Sequence, residues 1–214
     1  MNKKQYIVIL IAIFSLIGFA FKSKINGQVV CFGDSITYGA QVDGRSWVSF
    51  LSEKHPEINF INAGRSGRKT SDRKELLSVL NKYPNANYYT IFLGVNDLKD
   101  GTDSMVNGCI ENMKWMIAEI HSVNPTAKIV ILAPADINLK TMNQINIQKK
   151  YNSNTKNALS KLEKRYKELA EQENIGFISL LHAVKNPNYT DGLHPNLKGQ
   201  LQISTAVWKG LAKL

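Results

Sequence analysis

The sequence predicts an α/β fold: a three-layer α/β/α sandwich built on a parallel sheet of five strands. Three observations predict it. Short apolar runs alternate along the chain with longer segments of helical periodicity. The runs are dense in Val, Ile, Tyr and Phe, the residues that suit a pleated, buried surface. Most of them stop at Gly, Asp, Asn or Pro, which end a strand and start a turn. Strands alternating with helices imply parallel strands joined by right-handed crossovers, with helices on both faces. Five strands then fit the flavodoxin-like order 2-1-3-4-5.

Strand one is Gln28 to Phe32, and Gly33-Asp34 ends it. A helix follows at Gly44 to Lys54, with Trp47, Val48, Phe50 and Leu51 on its apolar side. Ile58 to Ile61 is strand two. The next helix runs from about Ser71 to Lys82, with Ser71 as its cap and Pro84 just beyond its end. Tyr88 to Leu93 is strand three. Asp103 to Val123 is a long helix, because Met105, Ile110, Met113, Ile117 and Ile120 recur at helical spacing. Lys128 to Leu132 is strand four, closed by Pro134. One further long helix is expected within Asn143 to Asn174, then strand five at Gly176 to Leu180 and a closing helix at Leu197 to Leu214.

Residues 1–24 stand apart from this alternation. Lys3-Lys4 precede an uncharged run of 16 residues, Tyr6 to Phe21, and Lys22 and Lys24 follow it. A basic end, an apolar stretch and the small-residue site Gly18-Phe19-Ala20 form the layout of a secretory signal. The run is just short of the ~17–25 residues of a spanning helix. An uncleaved N-terminal membrane anchor is the competing reading, and both imply export. Residues 25–214 are then the folded domain. The net charge is +10, and the four lysines around the apolar run leave +6 for that domain. Its lysines are scattered, with no dense basic stripe, which argues against nucleic acid as a partner. The two cysteines, Cys31 on a strand and Cys109 on a helix, read as unpaired thiols. There is no Cys/His cluster for zinc, no phosphate-binding loop and no Gly-x-Ser-x-Gly elbow.

Four stretches carry the chemistry. Ser35 follows strand one directly, at the carboxyl edge of the sheet, where ligands bind in open α/β folds. A serine needs a base to take its proton. Of His55, His121, His182 and His194, only His194 has a carboxylate at a useful spacing, Asp191 three residues earlier. In a turn, that spacing lets the carboxylate hold one ring nitrogen and leaves the other for the serine. Alone, the pair equally describes a surface turn that caps the last helix. Acyl transfer also needs donors for the developing oxyanion. The Ser35 N–H, the Gly64 N–H in Asn62-Ala63-Gly64, and the side-chain amide of Asn96 in Gly94-Val95-Asn96-Asp97 are the candidates. Asp34 and Asp97 read as loop acids that accept backbone N–H bonds.

Gly33-Asp34-Ser35 and the three later blocks together resemble the SGNH hydrolases, also called the GDSL esterase/lipase family. The blocks stand in family order from Gln28 onward. The resemblance implies a Ser35–His194–Asp191 triad, an oxyanion hole of Ser35, Gly64 and Asn96, and no metal or organic cofactor. It implies an esterase acting on a small-molecule or glycan ester, with a short acyl group on a larger alcohol as the expected substrate. An acyltransferase, or a thioesterase or lysophospholipase, would use the same triad. A carbohydrate-binding protein on an inactive scaffold is the non-enzymatic alternative, and an intact residue set argues against it.

Overall fold

The computed structural model describes residues 25–214. The signal or anchor expected at residues 1–24 lies outside the described residues. No helix among the described residues is long and apolar enough to cross a membrane.

Five parallel strands run in the order 2-1-3-4-5, as the alternation predicts. They are β1 (Gln28–Gly33), β2 (Asn59–Gly64), β3 (Tyr88–Phe92), β4 (Lys128–Ala133) and β5 (Gly176–Ser179). The helices are α1 (Ser35–Tyr38), α2 (Trp47–Lys54), α3 (Arg73–Lys82), α4 (Asp103–Val123), α5 (Gln144–Gln148), α6 (Ser153–Gln172) and α7 (Leu197–Leu211). Side chains alternate across β1, so Val30 and Phe32 join one core while Val29 and Cys31 join the other. The first core takes in Leu76 and Leu80 of α3, Ile110 and Met113 of α4 and Leu159 and Leu162 of α6. The second takes in Trp47 and Leu51 of α2 and Ile203 and Val207 of α7. Two buried faces explain why β1 and β3 read as continuous apolar runs. Each fully buried side chain of this size contributes roughly 1.5–3 kcal/mol from burial. Cys31 and Cys109 are both buried and unpaired. Burial pushes the Cys31 thiol up to about 12, so it is a packing residue and not a nucleophile.

Because the strands are parallel, they share a starting edge and a finishing edge. Gln28 opens β1 at the starting edge, where its N–H is held by the Asn87 side chain at 2.8 Å. Gly33 pairs with Gly64 and Phe92 at the finishing edge, so the turns after β1, β2 and β3 converge there.

Three expectations need correction. Ser71 does not cap α3. That helix begins at Arg73 after Asp72, whose side chain makes no cap bond and accepts instead from the Lys69 N–H and from Arg65. Helix α2 begins at Trp47, not Gly44, because Ser46 caps it through a bond from the Val48 N–H. The long helix within Asn143 to Asn174 is two helices, α5 and α6. Lys150 takes a left-handed φ of +68°, and Asn152 and Thr155 form a reciprocal capping box that restarts the helix. Buried Tyr151 occupies the break.

Candidate active site

Ser35 is the first residue of α1, one turn beyond β1. Asp34 caps that turn: its Oδ1 accepts the Ile36 N–H at 2.9 Å. As the opening residue, Ser35 has no intrahelical acceptor for its own N–H. The buried Gln200 side chain ties α7 to this turn, accepting the Trp47 N–H at 3.0 Å and donating to the Ile36 carbonyl at 3.2 Å. Ser35 is only 6% exposed, so its hydroxyl sits at the bottom of the site and not on its rim.

His194 Nε2 lies 3.0 Å from Ser35 Oγ, and His194 Nδ1 lies 2.8 Å from Asp191 Oδ2. With Nδ1–H donating to the Asp191 carboxylate, Nε2 is left as the acceptor for the serine hydroxyl. The other oxygen, Asp191 Oδ1, accepts the backbone N–H groups of Leu193 at 3.0 Å and His194 at 2.7 Å. The same carboxylate therefore shapes the turn and orients the ring. Burial alone would raise the Asp191 carboxyl. The bonds from the His194 ring, its backbone and the Leu193 N–H outweigh that and hold it down at about 2. Gly192 has a φ of +82°, and a Cβ there would meet Met142 Cα at 2.4 Å. Only glycine passes that point without displacing the segment that carries Asn138, whose N–H holds the Gly192 carbonyl at 2.8 Å.

The remaining candidates converge on the same edge. Asn96 follows β3 and is buried. Its Oδ1 accepts the Tyr151 hydroxyl at 2.8 Å, and its Nδ2 donates to the Arg68 carbonyl at 3.1 Å, with Asp34 Oδ2 at 3.5 Å. One of the two amide hydrogens is thus committed to Arg68. The Gly64 N–H is engaged: Asn62 Oδ1 accepts it at 2.9 Å, and Asn62 Nδ2 is held by the Thr37 carbonyl at 2.8 Å. A substrate oxygen would have to share that proton. The need for glycine at 64 also has a second cause. A Cβ there would come within 2.2 Å of the Tyr38 backbone nitrogen, so the close approach is to the turn that carries Ser35.

Asp34 and Asp97 serve their loops. Asp97 accepts both the N–H and the hydroxyl of Thr70, the latter at 2.7 Å, and joins the turns after β2 and β3. Burial pushes the Asp34 carboxyl up to about 7, against the pull of the Ile36 N–H and His194. The other histidines lie elsewhere. His55 stacks on Trp208, and His121 sits on α4.

Two residues here escape the sequence reading. Tyr151 sits where a continuous helix was expected. Arg68 lies in the loop after β2, just beyond the Asn-x-Gly block. It is 5% exposed and donates from Nη1 to the carbonyls of Gly33 and Ala63, each at 2.5 Å. Its guanidinium lies over the Phe32 ring at 4.1 Å, and its Nε donates to Glu75 at 2.8 Å. Arg68 stands between Arg65 and Lys69 in a polar loop, and nothing in that run marks it as the cation that will be buried.

A nucleophile, a base, an orienting carboxylate and two or three N–H donors gathered at one sheet edge are the parts of an acyl-transfer site. The model of the GDSL-like lipase/acylhydrolase family matches residues 31–201. Solved structures share the fold. A carbohydrate acetylesterase from Sinorhizobium meliloti is 18% identical, with a TM-score of 0.75 over 87% of this chain and 99% of its own. An acetylxylan esterase from Geobacillus stearothermophilus, solved as a catalytic mutant, is 18% identical, with a TM-score of 0.68 over 88% of this chain and 96% of its own. A lipase/acylhydrolase from Enterococcus faecalis is 23% identical, with a TM-score of 0.67 over 88% and 96%. No curated protein matches the chain.

Proposed function

The chain belongs to the GDSL-like lipase/acylhydrolase family, and on that premise we propose that it is an exported serine esterase with Ser35 as nucleophile, His194 as base and Asp191 as the carboxylate behind the base. The observation that carries this reading is the unbroken relay Ser35 Oγ, His194 Nε2, His194 Nδ1, Asp191 Oδ2, with links of 3.0 and 2.8 Å. Ser35 Oγ bonds to the ester carbonyl carbon while its proton passes to His194 Nε2. The Asp191 charge stabilises the imidazolium so formed. The Ser35 N–H and Asn96 Nδ2 face the oxyanion, and the Gly64 N–H joins them by sharing its proton with Asn62. The tetrahedral adduct collapses, and the leaving alcohol takes the proton from His194. Water then attacks the acyl-serine and gives its proton to His194; as the bond to Ser35 Oγ breaks and the acid leaves, His194 returns that proton to Ser35 Oγ. Proton and acyl group are both accounted for without a cofactor.

The substrate of this reading is a short acyl ester, above all acetyl, on a carbohydrate. Two fold neighbours are named for acetyl-carbohydrate esters. A groove of about 660 Å³ flanks the segments that bear the nucleophile and base, though Ser35 and His194 do not line it. Gln41, Asp43, Asn188, Asn196 and Lys198 line it beside Val42, Pro187 and Leu197, a mixed lining that can meet both the hydroxyl groups and the ring faces of a sugar. Export rests on the basic and apolar layout of residues 1–24.

The test has three parts. An organophosphonate should add one adduct per chain at Ser35, and Ser35→Ala should abolish both labelling and turnover. A series of p-nitrophenyl esters from acetyl to palmitoyl, run beside acetylated xylan, should show acetyl turned over fastest. Fastest turnover of the palmitoyl ester would replace the short-acyl reading. Mass spectrometry of the native protein separates cleavage near Ala20 from retention of an anchor.

A further inference from the structure

We infer that Arg68 is a positioning residue for the oxyanion donors: it sets the direction and strength of the N–H groups that receive the developing charge. This rests on the assignment of Ser35, Gly64 and Asn96 above. A trans peptide points its C=O and N–H in opposite directions. The Ala63 carbonyl and the Gly64 N–H belong to one peptide unit, so Arg68 Nη1, at 2.5 Å from that carbonyl, fixes which way the Gly64 N–H faces. A cation on the carbonyl also polarises the unit and makes its N–H a stronger donor. The same Nη1 holds the Gly33 carbonyl at 2.5 Å, in the peptide that leads into Asp34 and Ser35. The Arg68 backbone carbonyl takes one hydrogen of Asn96 Nδ2 at 3.1 Å, which leaves the other, 3.5 Å from Asp34 Oδ2, to turn toward substrate. One residue therefore touches the supports of all three donors.

Its other contacts fix the guanidinium without adding to the site. Glu75 on α3 accepts from Arg68 Nε at 2.8 Å and also from Arg65 Nε at 2.6 Å. Phe32 lies beneath the plane at 4.1 Å. Burial lowers the guanidinium pKa, an effect opposed by Glu75. Burying a charge is costly, and apolar side chains of similar size often stabilise as well or better. An arginine needed only to close the ends of β1 and β2 would have no reason to sit where its side chain reaches the peptides beside two donors and its own carbonyl holds the third.

The experiment uses Arg68→Met and Arg68→Lys in the full chain. Active sites are counted by stoichiometric organophosphonate labelling, so that kcat refers only to folded sites. We expect Arg68→Met to lower kcat per titrated site by about 10- to 100-fold with KM changed less than about threefold, the signature of lost transition-state stabilisation. Arg68→Lys restores the charge but not the fork, and should recover part of that loss. If Arg68→Met yields no folded protein, Arg68→Lys decides: a fall of about three- to tenfold in kcat at constant KM supports the inference, and a kcat within about twofold of the parent overturns it. A loss confined to KM, or Arg68→Met with near-parental kcat per site, also overturns it. Failure of the parent chain to label at Ser35 would instead strike the proposed function itself.

Discussion

Tyr151 donates its phenolic hydroxyl to Asn96 Oδ1 across 2.8 Å, and so decides which end of that amide faces the site. An amide can present either oxygen or nitrogen to a substrate, and only nitrogen can receive an oxyanion. With Oδ1 occupied by Tyr151 and one Nδ2 hydrogen by the Arg68 carbonyl, the donor orientation is fixed before substrate arrives.

Tyr151→Phe should therefore lower kcat about tenfold or less while KM stays near the parent value, since the donor remains but is less well held. It also leaves a buried Asn96 oxygen without its partner, which costs about 1–3 kcal/mol. Steady-state kinetics and urea denaturation of one preparation would check both. An unchanged kcat would mean that the Arg68 carbonyl alone suffices to orient Asn96.

Asn96→Ala removes the donor itself. The expected loss is ~10²–10³ in kcat, larger than that of Tyr151→Phe. The double variant should be no worse than Asn96→Ala alone, because Tyr151 acts through Asn96. Additive losses would show that Tyr151 has a separate task.

Asp191→Asn should lower the rate, because the imidazolium formed in the transition state loses the anion that stabilises it and the ring loses its fixed tautomer. Stability gives an independent check. The Asp191 carboxyl lies at about 2 in the fold, against 3.8 ordinarily. A depressed carboxyl contributes stability above its unfolded value, and that contribution is lost as pH falls from near 3.8 through about 2. The parent should lose stability across that window more steeply than Asp191→Asn. Denaturation midpoints measured from pH 5 to 2 would show the difference in slope.

Asp34 should behave in the opposite sense. Its carboxyl is raised from 3.8 to about 7, so its full contribution is present below 3.8 and declines as pH rises through about 7. The slope is at most about 1.4 kcal/mol per pH unit. Asp34→Asn keeps an acceptor for the Ile36 N–H and removes the titration. Its stability relative to the parent should therefore increase between pH 5 and 8, as urea midpoints at the two values would reveal. Parallel pH dependence in the two proteins would place the Asp34 charge in a better solvated setting than its burial suggests.

The strands and their order were legible because buried parallel strands leave continuous apolar runs, and β1 and β3 do so clearly. The residues of the Ser35–His194–Asp191 relay were legible because each stands in a short block at a strand or helix boundary. The helix break at Lys149 to Asn152 was not. Lys, Tyr and Asn are tolerable in a helix, and the left-handed turn at Lys150 depends on tertiary packing of Tyr151 more than on local preference. Arg68 was illegible for the same reason: its burial depends on carbonyls that come together only when β1 and β2 pair. The engagement of the Gly64 N–H by Asn62 follows from a two-residue separation, but its lock depends on Thr37 in another loop.

The shared direction of the strands gives the molecule two poles. Gln28 opens β1 at one, and Ser35 stands at the other, just past the end of that six-residue strand, a reach of about 20 Å. If residues 1–24 hold the chain to a bilayer, the leash pulls on the pole that has no chemistry. The mouth of the enzyme then faces outward, like a lamp on its stalk. Under that condition lipid tails would lie behind the catalyst and polymers outside the bilayer in front of it. Orientation would thereby select among esters before any pocket does, and a leash moved to Leu214, which packs against Gly176 at the start of β5, would hold the domain by the same pole.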